Sequence, residues 1–162
     1  MCANQELIDF LKPFRNSPTV IMGIGNILKG DDAAGPLVCE GLKNENISAY
    51  VIDAATVPEN YIQTIIKKAP HNLIVIDAIS FDAVPGTIKV FQTEQLDSMI
   101  ISTHTLSPRI FIDMIKQSIE LNVMFIGIQP EQIQLGSPVS KQVSRAIEEL
   151  SQILLKSFPP RT

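Results

Sequence analysis

The sequence predicts an α/β fold, a mostly parallel sheet with helices on both faces, and three observations point to it. Five short segments rich in Val and Ile, each bounded by turn or polar residues, read as strands. Stretches of helical periodicity fill the intervals between them. One interval is too short to hold a crossover helix, so one strand must run antiparallel and the sheet must be mixed.

The predicted strands cover residues 19–25, 49–54, 72–79, 87–92 and 122–128. Four of them are almost continuously apolar, as strands covered on both faces should be. The exception is 87–92, where Ile88 and Val90 alternate with Thr87 and Lys89, a pattern that suits an edge strand. Only Ser80 to Gly86 separate the third and fourth strands, against the dozen or so residues a parallel crossover needs. The fourth strand is therefore the antiparallel one.

Leu7, Ile8 and Leu11 mark an N-terminal helix, and Leu37, Val38, Gly41 and Leu42 a second. Tyr61, Ile62, Ile65 and Ile66 follow Pro58, which is well placed near a helix start. Ile110, Phe111, Met114, Ile115 and Ile119 form a fourth stripe, and Val143, Ile147, Leu150 and Leu154 the last. The sequence shows no internal repeat or linker, so residues 1–162 are expected to form a single domain. The Pro159–Pro160 tail is expected to fray.

Composition excludes several classes of function. With 45 % apolar and 19 % charged residues the chain reads as globular. The net charge of −4, without a cluster of Lys and Arg, argues against nucleic acid as a partner. Two cysteines, Cys2 and Cys39, can form neither a disulfide scaffold nor a thiolate-rich metal site, and Cys39 falls in a helix as a small buried residue. No signal-peptide pattern and no apolar run long enough to span a bilayer are present, so a cytoplasmic location is expected.

In open α/β sheets, ligands gather beyond the carboxyl ends of the parallel strands. There the sequence puts Gly25-Asn26-Ile27-Leu28-Lys29-Gly30-Asp31-Asp32 after the first strand, Asp53 at the end of the second and Asp77 near the end of the third. The loop Ser102-Thr103-His104-Thr105 precedes the helix that returns to the fifth strand. Each residue has a structural alternative. Asp32 could cap a helix beginning at Ala33, Asp31 reads as a solvated or turn residue, and Asp53 and Asp77 could bond loop backbone. His104 alone could be structural, and His71 reads as a surface residue. If Asp32, Asp77 and His104 converge, two carboxylates and an imidazole suit a borderline divalent ion such as Ni²⁺ or Zn²⁺, with open positions for ligands from a partner.

Gly23-x-Gly25 with Asp53 downstream has part of a dinucleotide-binding pattern. The third glycine is replaced by Leu28, and Asp31 and Asp32 put negative charge where a pyrophosphate would lie, so this alternative is weak. No Gly-x-Ser-x-Gly elbow is present.

The stretch from Gly23 through Asp31-Asp32-Ala33-Ala34-Gly35 resembles the signature of the nickel-iron hydrogenase maturation endopeptidases. So do Val51-Ile52-Asp53, Pro58-Glu59-Asn60, Ile76-Asp77-Ala78, Thr103-His104 and Gly127-Ile128-Gln129-Pro130, in the family's order and across nearly the whole chain. The Pro-Glu-Asn and Gly-Ile-Gln-Pro segments are most similar to the branch that processes the large subunit of hydrogenase 3, the formate hydrogenlyase type. The resemblance implies a three-layer α/β/α sandwich with a twisted, mixed five-stranded sheet of the phosphorylase/hydrolase-like kind. It implies an aspartic-type endopeptidase that removes the C-terminal peptide of the large-subunit precursor after nickel insertion. Asp32, Asp77 and His104 match the family's metal-contacting, catalytic residues, and Asp53 a further acid near the cleft. No resident cofactor is implied. Nickel arrives with the substrate, and Cd²⁺ or Zn²⁺ are the expected surrogates. The precursor is the expected partner of a monomeric enzyme, with an escort protein that binds without cutting as the rival. Ala33 stands where relatives often carry glycine; a helical first turn accepts it, whereas a positive φ would strain it. Pro108 falls one residue later than in relatives, shifting the expected start of that helix.

Overall fold

The computed structural model describes residues 3–98, 100–101 and 107–161. Its central sheet runs β2 (Tyr50–Asp53), β1 (Thr19–Gly23), β3 (Asn72–Ser80), β6 (Asn122–Ile128), β4 (Ile88–Phe91). The first four are mutually parallel, and β4 pairs antiparallel with β6 at the edge, with Ile88 opposite Ile128. The expected mixed five-stranded sheet is thus present, with strand ends within two residues of those read from the sequence. A two-residue strand, β5 (Ile100–Ile101), adds to the end of β3 in antiparallel register, Ile101 opposite Ile79. Two residues carry too little pattern to be seen in a sequence.

Strand side chains alternate between the two faces, and so divide the core in two. On one face Ile21, Ile74, Ile76, Met124 and Ile126 pack with α1 (Ala3–Leu11), α2 (Ala34–Asn44) and α5 (Lys141–Ser157). On the other, Val20, Met22, Leu73, Val75 and Phe125 pack with α3 (Ile62–Lys68) and α4 (Pro108–Lys116). The three layers match the predicted sandwich. Among the described residues, no helix is long and apolar enough to cross a membrane.

The tail does not fray. Phe158 is buried at 2 % exposure, the Ser48 N–H donates to the Pro159 carbonyl at 3.0 Å, and Pro160 bridges to Ile47. A buried aromatic ring outweighs the missing proline donors, so the expectation of a loose end is corrected.

Candidate functional site

The loop after β1 carries the first acid. It begins at Gly25, where φ is +151° and the Asp32 carbonyl lies against the α-carbon, so a side chain has no room. The loop then closes on itself. Asn26 Oδ1 accepts from the Leu28 N–H at 2.9 Å, and the Asp32 N–H donates to the Lys29 carbonyl at 3.0 Å. A 3₁₀ turn, Gly30–Ala33, leads into α2.

Asp32 does not cap that helix. Its Oδ2 reaches back to accept from the Asn26 N–H at 2.8 Å, and α2 begins without a side-chain cap. Asp32 lies inside the 3₁₀ turn, Ala33 takes the N-cap position of α2, and the Asp32 carboxylate is committed to the Asn26 N–H, so the capping alternative fails. Ala33 sits at φ −71°, ordinary helical backbone, so replacing glycine there costs nothing.

Asp77 lies in β3, beside β1 in the centre of the sheet, opposite Gly127 of β6. The first turn of α2 packs onto the same point. A Cβ on Gly35 would stand 2.6 Å from the Ile76 carbonyl oxygen and 2.7 Å from the Ile24 nitrogen. Asp32, three residues before Gly35, and Asp77, one after Ile76, therefore share one edge of the sheet. Asp32 is fully buried and Asp77 is 3 % exposed. Water removed from around two carboxylates must be replaced by other partners, which makes such a pair costly unless it has a use.

His104 lies outside the described residues, as does Cys2. The described chain approaches that segment from β5, whose Ile101 is paired with Ile79, two residues beyond Asp77. The chain resumes at Ser107, before α4. Among the described residues no cluster of three or more His, Cys, Asp or Glu could hold a metal ion.

Asp53 is turned elsewhere. It ends β2 opposite Gly23, and its Oδ1 accepts from the Ala55 N–H at 3.0 Å, supporting Ala55 at φ +49°. It also lines a groove of about 280 Å³ with Ile27, Pro36, Leu37, Glu40 and Lys43. The loop-bonding alternative for this residue is therefore realised. Cys39 is buried against the sheet, its thiol 3.4 Å from the Ile52 carbonyl. Burial, helped by the charge of Asp53, pushes that thiol up to about 12, so it is no nucleophile. His71 is exposed, as expected.

Asp31 overturns its reading as a solvated residue. It is fully buried, and its two carboxylate oxygens accept four hydrogen bonds. Oδ1 accepts from the Ser140 N–H at 2.7 Å. Oδ2 accepts from the Glu131 N–H at 2.8 Å, the Gln132 N–H at 3.3 Å and the Ser140 hydroxyl at 2.9 Å. All of these donors come from the segment between β6 and α5. No local signal announces partners so distant in sequence. The one available cue was the Gly127-Ile128-Gln129-Pro130 segment, which has no periodicity and yet sits at the carboxyl end of a central strand.

The sequence model of the family described as hydrogenase maturation protease matches residues 36–157. The hydrogenase 3 maturation protease of Escherichia coli K12 is 32 % identical over 137 residues, covering 83 % of this chain and 87 % of that protein. The crystal structure of a nickel-iron hydrogenase maturation protease from Thermococcus kodakarensis superposes with a TM-score of 0.84 at 29 % identity, covering 93 % of this chain and 97 % of the other. A solution structure of an Escherichia coli endopeptidase gives 0.76 at 31 % identity, covering 83 % and 87 %. The family match over residues 36–157, the sequence similarity and the shared fold agree: this chain belongs to the hydrogenase maturation protease family.

Proposed function

We propose that this peptidase removes the C-terminal peptide of a nickel-iron hydrogenase large-subunit precursor, and that it reads the precursor's nickel through Asp32, Asp77 and His104. The observation that carries the reading is two buried carboxylates at one edge of the sheet, Asp32 on the loop after β1 and Asp77 within the adjacent strand β3. His104 follows Ile101 by three residues, a span of about 10 Å at most. Ile101 itself is opposite Ile79, two residues beyond Asp77.

The nickel is part of the substrate. A precursor that carries it gains two oxygen ligands and one nitrogen ligand on docking, a set matched to a borderline divalent ion. A metal-free precursor loses those bonds, which makes the enzyme selective for the loaded form. The enzyme carries no cofactor of its own, and Cd²⁺ or Zn²⁺ stand in for nickel. Docking brings the scissile amide to the carboxylates. One of them accepts a proton from water as the water oxygen bonds to the amide carbon, and the proton then passes to the leaving amine as the C–N bond breaks. That assignment makes the peptidase aspartic in type. The Escherichia coli relative is named for hydrogenase 3, and a large subunit of that class is the proposed substrate, met by a monomeric enzyme in the cytoplasm.

The test is to incubate the purified protein with nickel-loaded and with metal-free precursor and to weigh the large subunit by mass spectrometry. Loss of a C-terminal peptide from the loaded form alone is the expected result. An unchanged mass with binding intact would instead identify an escort protein.

A further inference from the structure

The segment that follows β6 makes two knots, two residues apart. At the first, the Gln129 side chain reaches the connection after β3. Its Oε1 accepts from the Phe81 N–H at 2.8 Å and the Ala83 N–H at 3.2 Å. Its main chain joins in: the Gln129 carbonyl accepts from the Gly86 N–H at 2.8 Å, and the Gln129 N–H donates to the Thr87 carbonyl at 2.9 Å. At the second knot, Glu131, Gln132 and Ser140 converge on Asp31 as described above, and the Asp31 N–H returns a bond to the Gln132 carbonyl at 3.0 Å. Gly30, at φ +52°, lies so close to the Gln132 amide that a Cβ would stand 2.7 Å from Nε2. Gln132 is pinned in turn, with Nε2 donating to the Pro138 carbonyl at 2.8 Å.

Between the knots lies Pro130, whose ring fixes φ and stiffens the span. Two residues reach about 7 Å at most. One knot holds the residue before Asp32, and the other holds the chain just beyond Asp77. We propose that Gln129–Gln132 is a calliper: it sets the separation of the Asp32 and Asp77 carboxylates, with Asp31 and Gln129 as the positioning residues at its two jaws. Neither side chain need touch the precursor. The inference rests on the metal-reading role given above to Asp32 and Asp77.

The chemistry explains why the jaws are these residue types. Four donors point at Asp31, and only a carboxylate, with four lone-pair sites and no proton, can accept them all. Asparagine in its place turns an N–H₂ toward those donors. At Gln129 one oxygen accepts two main-chain N–H groups, which leucine cannot do. Either change opens one jaw while leaving both ligand carboxylates in the chain.

Three variants test this, Asp31→Asn, Gln129→Leu and Asp32→Asn. Each is followed by thermal unfolding, by calorimetric titration with Cd²⁺ and by the rate of processing of nickel-loaded precursor. Asp31→Asn and Gln129→Leu should stay folded, bind Cd²⁺ about tenfold more weakly and lose at least tenfold in kcat/KM, the loss being shared by KM and kcat. Their double variant should lose less than the product of the two, because both act on one span. A purely structural role would lower the melting temperature and leave the Cd²⁺ affinity of the folded protein alone. That result, with Asp32→Asn inactive, overturns the calliper and leaves the metal-reading role standing. Normal processing by Asp32→Asn overturns both. Should Asp31→Asn fail to fold, Ser140→Ala removes one of the four donors, together with the cap that the same hydroxyl gives the Val143 N–H of α5, and a twofold to fivefold loss of affinity is expected; no loss overturns the proposal.

Discussion

Gly35 and Ile76 meet main chain to main chain, with only 2.6 Å between the carbonyl oxygen of Ile76 and the place a Cβ of Gly35 would take. The contact seats the first turn of α2 on β3 beside Asp77, and so ties the helix that follows Asp32 to the strand that carries the second acid.

Gly35→Ala should therefore cost stability and activity together. The obstructing atoms are backbone and cannot swing aside, so the helix must lift, at a cost of about 3 kcal/mol for overpacking. A shift in the urea midpoint without a change in slope checks the stability, and the precursor-processing rate checks the displacement of Asp32.

His104→Ala should abolish processing while leaving the melting temperature within a few degrees of the parent. Mass spectrometry of the large subunit after incubation with the variant reads the outcome. Full cleavage would remove the imidazole from the site.

Cys39 predicts an alkaline limb in stability. Its thiol is raised in the folded state from an ordinary 9.0 to about 12, so the folded protein holds a proton that the unfolded chain releases. The contribution is complete below about pH 9 and is lost progressively as pH rises toward 12. Denaturation midpoints measured from pH 8 to 10.5 should fall, and Cys39→Ala should flatten that fall. In native protein the thiol should also resist a disulfide reagent that labels it once the chain is unfolded.

Ala69→Gly should stabilise the protein. Ala69 ends α3 in the left-handed region, at φ +45° and ψ +53°, where a Cβ costs about 1 kcal/mol and glycine pays nothing. An upward move of the denaturant midpoint by that amount, with activity unchanged, is the expected measurement.

Much of this architecture was legible in the residues. The strands announce themselves because burial on both faces demands unbroken apolar runs, and the short link from Ser80 to Gly86 dictates an antiparallel β4. Asp32 and Asp77 were visible as candidates because strand ends in such sheets converge on one edge. What escaped were interactions that connect distant segments. Asp31 is as polar as any surface residue, and its burial depends on donors at Glu131, Gln132 and Ser140. Asp32 missed its expected cap because it is wound into a 3₁₀ turn that puts Ala33 at the N-cap position, a difference of one residue. The tail at Pro159 and Pro160 holds because Phe158 is buried and Arg161 donates to the Asn46 carbonyl at 3.2 Å. Periodicity reports which face of an element is covered. It is silent on which loop will find which.

The bond between Asp31 and Ser140 spans 109 positions of chain. Closing so large a loop costs chain entropy that must be surrendered before the contact gives anything back. During synthesis, a nascent chain that has not yet exposed Ser140 holds an acid destined for the interior with no donors to receive it. Until the start of α5 is in place, Asp31 lacks the two donors that Ser140 supplies.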